Sequence, residues 1–249
     1  MCSDGNQAEI VMKSGTTVPA HDSDMDSSPD LGSIFGDWRP EAVIFDCDGL
    51  LMDTESLWVD TQGVVCKRYG IAFDSGLQHR LVGMPASRIG PIIAGLAGQP
   101  SSSVIDELLD VNAELVREFA GPLPGAHEVV TAVAARVPVA VASNSARRIL
   151  DATLGRGDFG DVFACVLSAD EVGNPKPAPD IYLAAAETLG FRPDDCLALE
   201  DSETGAAAAL AAGMKVIGVP RGSGQRPVAD AVIGDLESVV LRRWIASWA

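Results

Sequence analysis

Short apolar segments recur along this chain and alternate with segments of helical periodicity. Six of them are predicted strands, and they cover residues 42–45, 137–142, 162–167, 196–199, 216–219 and, more weakly, 231–233. The predicted helices between them cover residues 127–136, 147–154, 179–189 and 205–212, with Gly155, Gly190 and Gly213 as C-terminal stops. This alternation is typical of a parallel sheet with helices on both faces. The sequence therefore predicts an α/β fold with a doubly wound parallel sheet.

One interval, residues 56–122, interrupts the alternation directly after the first strand. It contains no convincing strand, and it has helical patterns at residues 57–69, 86–96 and 103–119. It starts after an acid-bearing loop and ends at the segment GPLPG at residues 121–125, so both ends are suited to hinges. We therefore expect a core domain of residues 39–55 and 123–249, with a helical cap domain of residues 56–122 inserted into it.

The N-terminal segment, residues 1–38, has a different composition from the rest of the chain. It is rich in Ser, Asp and Gly and shows little periodic apolar content. Ordering such a segment would bury too little apolar surface to offset the lost conformational entropy. We predict a flexible acidic tail and assign it no function.

The charge and cysteine content limit the possible binding partners and the cellular compartment. Lys and Arg total 18 against 35 Asp and Glu, a net charge of −17, and no basic run suggests a nucleic-acid partner.

No apolar stretch reaches transmembrane length and no signal peptide is recognisable, so we expect no membrane association. The five cysteines form no CxxC pair, which favours a reducing, cytoplasmic location. Nothing identifies a protein partner.

Two carboxylates follow the first predicted strand directly. Asp46 and Asp48 point to the same side, because side chains alternate along an extended chain. Two such charges about 4 Å apart repel by roughly 4 kcal/mol at an effective dielectric of about 20, so the pair needs a cation, a proton or a catalytic role. The alternative is a solvated Asx turn, because Asp48-Gly49 is a strong turn signal.

Polar side chains also follow three other predicted strands. They are Ser143, Asn144 and Ser145 after residues 137–142, Lys176 after residues 162–167, and Glu200 and Asp201 after residues 196–199. Ligands of open parallel sheets bind outside the carboxyl ends of the strands, so we expect these side chains to converge with the two aspartates. Taken singly, Ser143 is more typical of a helix N-cap, and Lys176 could be a solvated loop residue.

Residues 41–235 resemble the haloacid dehalogenase-like superfamily, in particular its phosphatases with a helical cap. Four motifs carry the resemblance, in the expected order and with an insertion where the cap belongs: DCDGLLMDTE at residues 46–55, VAVASNS around Ser143, GNPKPAPDIY around Lys176 and LEDSETGAAAA at residues 199–209. The resemblance implies a Rossmann-like core with a cap. It also implies that Asp46 is the nucleophile that forms an aspartyl-phosphate, that Asp48 is the general acid and base, and that Lys176 is a catalytic cation beside Asp46.

The same resemblance implies a magnesium site. Asp46 and Asp201 supply side-chain ligands, and Asp48 supplies its main-chain carbonyl. Glu200 contributes directly or through a water molecule. Carboxylate and carbonyl oxygens are the ligands that Mg²⁺ prefers in proteins, so the expected cofactor is Mg²⁺.

Substrate-binding positions are implied in both domains. Ser143 and the main-chain amides of Asn144 and Ser145 suit the oxygens of a phosphate group. In related proteins the cap surface near Trp58 and Met84 faces the substrate, although a Trp early in a helix is usually a core residue. These five residues are the predicted substrate contacts.

The resemblance implies a magnesium-dependent phosphatase that acts on a small phosphorylated metabolite, such as a sugar or polyol phosphate. Asp48 argues against the dehalogenases and the phosphonate-cleaving enzymes of the superfamily, which lack this acid. The alternative is a mutase similar to β-phosphoglucomutase, but such enzymes usually have a cap histidine near the position of Trp58 and an arginine near Ala86. A noncatalytic binding protein is a third possibility. A dinucleotide-binding module is disfavoured, because no GxGxxG follows Phe45.

Overall fold

A six-stranded sheet forms the centre of the computed structural model, which describes residues 29–81, 84–221 and 225–248. The strands are β1 (Ala42–Phe45), β2 (Val139–Ser143), β3 (Cys165–Ser168), β4 (Cys196–Glu200), β5 (Lys215–Gly218) and β6 (Ala231–Val232). Their order is β3-β2-β1-β4-β5-β6, and every neighbouring pair is parallel. The predicted α/β fold with a doubly wound parallel sheet is confirmed.

Ten α-helices accompany the sheet within the described residues. They are α1 (Leu31–Phe35), α2 (Glu55–Arg68), α3 (Ser75–Leu81), α4 (Ala86–Ala97), α5 (Ser101–Phe119), α6 (Ala126–Ala134), α7 (Arg147–Gly157), α8 (Asp180–Leu189), α9 (Glu203–Ala211) and α10 (Val239–Ala246). Short 3-10 helices occupy Ala169–Glu171 and Pro193–Asp195. None of the described helices is both long and apolar enough to span a bilayer.

Both faces of the sheet are buried, because alternate residues of each strand point in opposite directions. In β1, Val43 and Phe45 join a cluster with residues of α1, α6 and α10. Ala42 and Ile44 join a second cluster with residues of α8 and α9. The alanine-rich sequence of α9 permits close packing on this second face.

Helices α2 to α5 pack around a separate hydrophobic cluster, which includes Leu81, Ile89, Ile93, Val104 and Leu108. We propose that these helices are the cap domain predicted for residues 56–122, inserted into a core domain of residues 39–55 and 123–249. These helices also contact the rest of the protein, because the Arg148 side chain on α7 pairs with Asp110 on α5.

The two chain connections between the helical insertion and the sheet run side by side. The amide of Asp53 donates a 2.9 Å hydrogen bond to the carbonyl of Gly121, and the amide of Leu123 donates one of 2.9 Å to the carbonyl of Leu51. Both connections therefore leave the sheet at one place, which suits the predicted hinge positions.

The predicted flexible tail is wrong for its last part. Residues 1–28 lie outside the described residues, but Leu31–Phe35 form helix α1. Leu31 and Phe35 are buried, and the ring of Phe35 stacks on Trp244 of α10 with the ring centroids 4.7 Å apart. This apolar contact supplies the buried surface that the composition of the segment did not suggest.

Several predicted boundaries differ from the structure for local reasons. Strand β2 begins at Val139 instead of residue 137, because Pro138 has no amide hydrogen for the sheet. Helix α7 passes the predicted stop at Gly155 and ends at Gly157, before Asp158, whose φ of 52° lies in the left-handed region. Gly190 and Gly213 do adopt positive φ after their helices, as predicted.

Candidate active site

The carboxyl ends of the three central strands carry the predicted site. Phe45 pairs in register with Val141 of β2 and with Leu199 of β4, so the residues that follow in each strand lie close together. The amide of Asp46 continues this pairing with a 3.0 Å hydrogen bond to the carbonyl of Leu199. Sheet register therefore places Asp46 between the end of β2 and the end of β4.

Lys176 lies at the centre of this cluster, and its side chain is only 3% exposed. Its Nζ atom donates hydrogen bonds of 2.6 Å to Asp46 Oδ1, 2.6 Å to Glu200 Oε1 and 2.8 Å to the carbonyl of Ala142. An ammonium group has three hydrogens, so all its donors are satisfied. The lysine is thus fixed between the predicted nucleophile and one of the predicted metal ligands.

Asn144 holds the main chain of Lys176 in place. Its Oδ1 atom accepts a 2.9 Å hydrogen bond from the Lys176 amide, and its Nδ2 atom donates one of 3.1 Å to the Lys176 carbonyl. The side chain therefore joins the loop after β2 to the loop after β3. Its main-chain amide stays the predicted phosphate contact.

Three hydroxyl groups hold the side chain of Asp48. Ser143 and Ser145 donate to its Oδ2 atom over 2.9 Å and 2.7 Å, and Thr54 donates to its Oδ1 atom over 2.9 Å. The Ser143 hydroxyl also accepts a 2.9 Å hydrogen bond from the Ser145 amide. Asp48 is thus held by the loop after β2 and by the residue that precedes α2.

The sequence did not predict the role of Thr54. It is the N-cap residue of α2, where a threonine hydroxyl usually accepts a hydrogen bond from the helix main chain. Here no such capping bond forms, and the hydroxyl donates its hydrogen bond to Asp48 instead. Its place in the acidic motif, eight residues after Asp46, was the available signal.

Three carboxylates form a group that could hold a metal ion. Oxygen atoms of Asp46, Glu200 and Asp201 lie within 4.8 Å of one another. Two glycines make room for this arrangement: a Cβ atom on Gly49 would lie 2.4 Å from Asp201 Oδ2, and one on Gly205 would lie 2.0 Å from Glu200 carboxylate oxygens. The Asp48 carboxylate, held by three hydroxyls, is outside the group, so only its main-chain carbonyl stays a predicted ligand.

The charges of this group fit a divalent cation. Burial raises the pKa of Asp46 well above its usual range, the neighbouring carboxylates add to this effect, and Lys176 opposes it. Burial, with a further contribution from Glu200, raises the pKa of Asp201 to about 7. Three carboxylates face the single ammonium group of Lys176, so two negative charges remain when all four groups are ionised. Oxygen ligands with this excess charge are the donor set that Mg²⁺ binds.

The high pKa of Lys176 keeps its side chain charged in this setting. Burial alone would lower the pKa of Lys176, but Asp46 and Glu200 raise it well above its usual range. The lysine therefore supplies a positive charge beside Asp46, the predicted nucleophile.

Tyr182 on α8 is a second residue that the sequence did not identify. It is fully buried, and its hydroxyl donates a 2.5 Å hydrogen bond to Glu200 Oε1. Its ring centroid lies 5.0 Å from the Nζ atom of Lys176. Its place at the end of the motif around Lys176 was the available signal.

A cleft of about 380 Å³ opens over the site. It is lined by the predicted residues Asp46, Asp48, Trp58, Ser143, Asn144, Ser145, Lys176 and Asp201, and further by Asn112 and Arg221, which the sequence did not single out. Met84 does not line it. The side chain of Met84 packs against the hydrophobic cluster of the helical insertion, and its carbonyl accepts a 3.1 Å hydrogen bond from the indole of Trp58.

Comparisons with known proteins agree with this geometry. The family model for haloacid dehalogenase-like hydrolases matches residues 43–219. Fructose-1-phosphate phosphatase from Escherichia coli is 33% identical over 183 residues, which are 73% of this chain and 97% of that protein. The bifunctional riboflavin kinase/FMN phosphatase from Arabidopsis thaliana is 33% identical over 81% of this chain, and the match spans only 55% of that longer protein.

A solved structure shows the same architecture. The crystal structure of a candidate beta-phosphoglucomutase from Thermotoga maritima has a TM-score of 0.71 and is 28% identical, covering 83% of this chain and 99% of that one. The match of the family model covers well over half of the sequence and includes every strand that carries a site residue. The chain therefore belongs to the haloacid dehalogenase-like hydrolase family.

Proposed function

We propose that the protein is a magnesium-dependent phosphatase that hydrolyses a small phosphomonoester, such as a sugar or polyol phosphate, through an aspartyl-phosphate intermediate. The observation that carries the proposal is the contact between Asp46 and Lys176 at the floor of a cleft, with Asp48 held beside it. Membership of the hydrolase family and the similarity to fructose-1-phosphate phosphatase support the choice of reaction and substrate class.

In the first step, a carboxylate oxygen of Asp46 attacks phosphorus. A bond forms between this oxygen and phosphorus, the bond from phosphorus to the substrate oxygen breaks, and Asp48 gives a proton to the departing alkoxide. In the second step, Asp48 takes a proton from water, whose oxygen attacks the same phosphorus. Inorganic phosphate leaves and Asp46 is restored as a carboxylate.

Lys176 supports both steps as a fixed positive charge. Its contact with Asp46 Oδ1 orients the nucleophile and reduces the repulsion between this carboxylate and an approaching phosphate. Ser143 and the main-chain amides of Asn144 and Ser145 would bind the remaining phosphate oxygens. In this role Ser143 turns its hydroxyl from Asp48 to the substrate.

Asp46, Asp201, the main-chain carbonyl of Asp48 and, directly or through water, Glu200 would hold the magnesium ion. When bound, Mg²⁺ would offset the charge of the carboxylates and stabilise negative charge on the transferring phosphoryl group.

The direct test is hydrolysis of p-nitrophenyl phosphate by Asp46→Asn. We expect this variant to lose turnover while it keeps the unfolding temperature of the wild type within a few degrees, and we expect the wild type to lose turnover in excess chelator. Asp161→Asn, an exposed position outside the cleft, is the matched control and should keep full activity. Hydrolysis by Asp46→Asn at the wild-type rate would reject the proposal.

The second candidate is a sugar-phosphate mutase, which the similarity to the Thermotoga maritima structure favours. Such mutases usually have a histidine and an arginine at the positions of Trp58 and Ala86. Both positions line the cleft, so the cleft lacks these two side chains. A mutase would interconvert sugar-phosphate isomers when primed with a sugar bisphosphate and would release little phosphate. Measurement of phosphate and of both isomers in one reaction separates the two functions.

A further inference from the structure

We propose that Asn112 on α5 is a specificity-determining residue that accepts a hydrogen bond from a substrate hydroxyl group. The inference rests on the proposed function, because it concerns the cleft that Asp46 and Lys176 also line. Asn112 lines this cleft although only 6% of its surface is exposed. A buried amide is costly unless its polar atoms are satisfied, so the bonding of each atom is informative.

The hydrogen bonds of Thr61 fix the orientation of the Asn112 amide. The Thr61 hydroxyl donates its one hydrogen to the carbonyl of Leu57 over 2.7 Å. It can therefore act only as an acceptor in its 3.0 Å contact with Asn112, and this contact must come from the NH₂ group. The nitrogen Nδ2 thus faces Thr61, and the oxygen Oδ1 is directed elsewhere.

The Oδ1 atom of Asn112 has no hydrogen-bond partner among the residues that the structure describes. Among the described residues, the side-chain polar atoms that are fully buried and have no partner are the indole nitrogens of Trp244 and Trp248. The Asn112 oxygen is not one of them, so it is not fully buried. The oxygen therefore keeps some exposed surface, and the cleft is the opening that Asn112 lines. A hydroxyl group can donate to it, whereas a phosphate oxygen without a proton cannot. The second hydrogen of Nδ2 remains a donor, so two neighbouring hydroxyls of a polyol could satisfy both groups.

The surrounding wall of the cleft favours a neutral polyol over a second phosphate. Apart from Asn112, the part of the wall formed by residues 55–112 consists of Glu55, Trp58, Pro85, Ala86 and Leu109. Among the described residues of this part of the wall there is no cation, and Glu55 would repel a second phosphate. Arg221, which lines the cleft elsewhere, is paired with Asp53 over 3.2 Å. The indole N–H of Trp58 donates its hydrogen bond to the Met84 carbonyl. Only the apolar ring surface of Trp58 is therefore left to contact a ligand in the cleft. An amide beside an aromatic surface fits the hydroxyl groups and the C–H groups of a polyol.

The experiment compares two phosphomonoesters of similar length, sorbitol 6-phosphate and n-hexyl phosphate, in the presence of magnesium. We expect the wild type to have at least about 10-fold higher kcat/KM for the polyol ester, because the hexyl ester leaves the amide unpaired. Asn112→Leu should lower kcat/KM by about 10- to 100-fold for the polyol ester and by no more than about 3-fold for the hexyl ester.

Two further variants separate recognition from folding. Thr61→Val removes the contact that orients Asn112 but changes no residue of the cleft lining, so it should lower kcat/KM for the polyol ester alone, by less than Asn112→Leu does. Glu114→Gln, on the exposed side of the same helix, should change neither ester.

Two results would overturn the inference: a wild type without preference for the polyol ester, or equal losses of kcat/KM on both esters in Asn112→Leu and Thr61→Val. Hydrolysis of hexyl phosphate would still support the phosphatase in either case. Failure of the wild type to hydrolyse either ester would overturn the proposed function as well.

Discussion

The ammonium group of Lys176 lies 2.6 Å from Oδ1 of Asp46, although 130 positions separate the two residues in the sequence. Both side chains are almost fully buried, and a third charged group, Glu200, contacts the same ammonium at 2.6 Å. The lysine thus compensates two carboxylates at once. Stability and catalysis in this protein should therefore depend on the same contact.

Replacement of Lys176 by Met should harm folding as well as catalysis. The free energy of unfolding should fall by about 3–5 kcal/mol, because Asp46 and Glu200 lose their buried counter-ion. Urea unfolding measures this change. Lys215→Met is the matched control, because Lys215 is half-exposed and lies 3.4 Å from Asp230, and such a surface pair contributes about 1 kcal/mol or less. Equal losses in the two variants would contradict the importance given to the buried contact.

Asp48→Asn should separate the two chemical steps. With p-nitrophenyl phosphate, the leaving group needs little protonation, but the attacking water still needs a base. We expect kcat to fall by roughly 10²- to 10⁴-fold, with a rapid initial release of one equivalent of nitrophenolate per enzyme. Stopped-flow absorbance measures this burst. A slow rate without any burst would mean that Asp48 is required for the first step instead of the second.

Gly205→Ala should disturb the carboxylate group without changing any charge. A Cβ atom at this position would lie 2.0 Å from Glu200 carboxylate oxygens, so Glu200 must move. We expect a loss of about 1–3 kcal/mol in the free energy of unfolding and a higher magnesium concentration for half-maximal activity.

The control for this variant is Gly155→Ala in α7, where a Cβ atom would meet no atom within 4 Å. That change should stabilise the protein by about 0.5–1 kcal/mol, because alanine favours the helix. Similar effects of the two variants on the magnesium requirement would contradict the role given to close packing at Gly205.

The stability of the metal-free protein should depend on pH through Asp201. Its pKa of about 7 in the folded protein lies above the value of about 3.9 expected in the unfolded chain. Between about pH 4 and about pH 7 the folded state therefore binds more protons, and the free energy of unfolding should fall as pH rises in the presence of chelator. Magnesium at pH 7 should restore stability. Asp201→Asn should show a weaker pH dependence, and an unchanged slope in that variant would contradict this assignment.

The sequence predicted the parts of the site that strands position. Asp46, Ser143, Glu200 and Asp201 lie at or just beyond the ends of apolar runs, and sheet topology alone brings such ends together. Lys176 and Asp48 were expected in the same place for the same reason. The convergence of these residues needed no knowledge of the side-chain contacts.

The contacts that orient these residues were less accessible from sequence. Thr54 and Tyr182 were not singled out, and Asn144 was expected to bind phosphate through its main-chain amide. Their actual partners depend on distances between loops that are far apart in the chain. Spacing in one motif carries no information about those distances.

Three helices were not predicted, and all three are short. Helix α1 has five residues, α3 has seven and α10 has eight, which is below the length at which a helix is stable alone. Helix α1 depends on tertiary contacts, such as the stacking of Phe35 on Trp244 of α10, the third helix that was missed. Local periodicity does not report contacts of this kind.

The central claim is that Asp46 becomes phosphorylated during turnover. The most direct measurement is rapid acid quenching of the wild type with a ³²P-labelled phosphomonoester and magnesium, followed by borohydride reduction and peptide mass analysis. We predict protein-bound label that is released by hydroxylamine, and conversion of Asp46 to homoserine after reduction. Phosphate release at the full rate without any label on Asp46 would contradict the account.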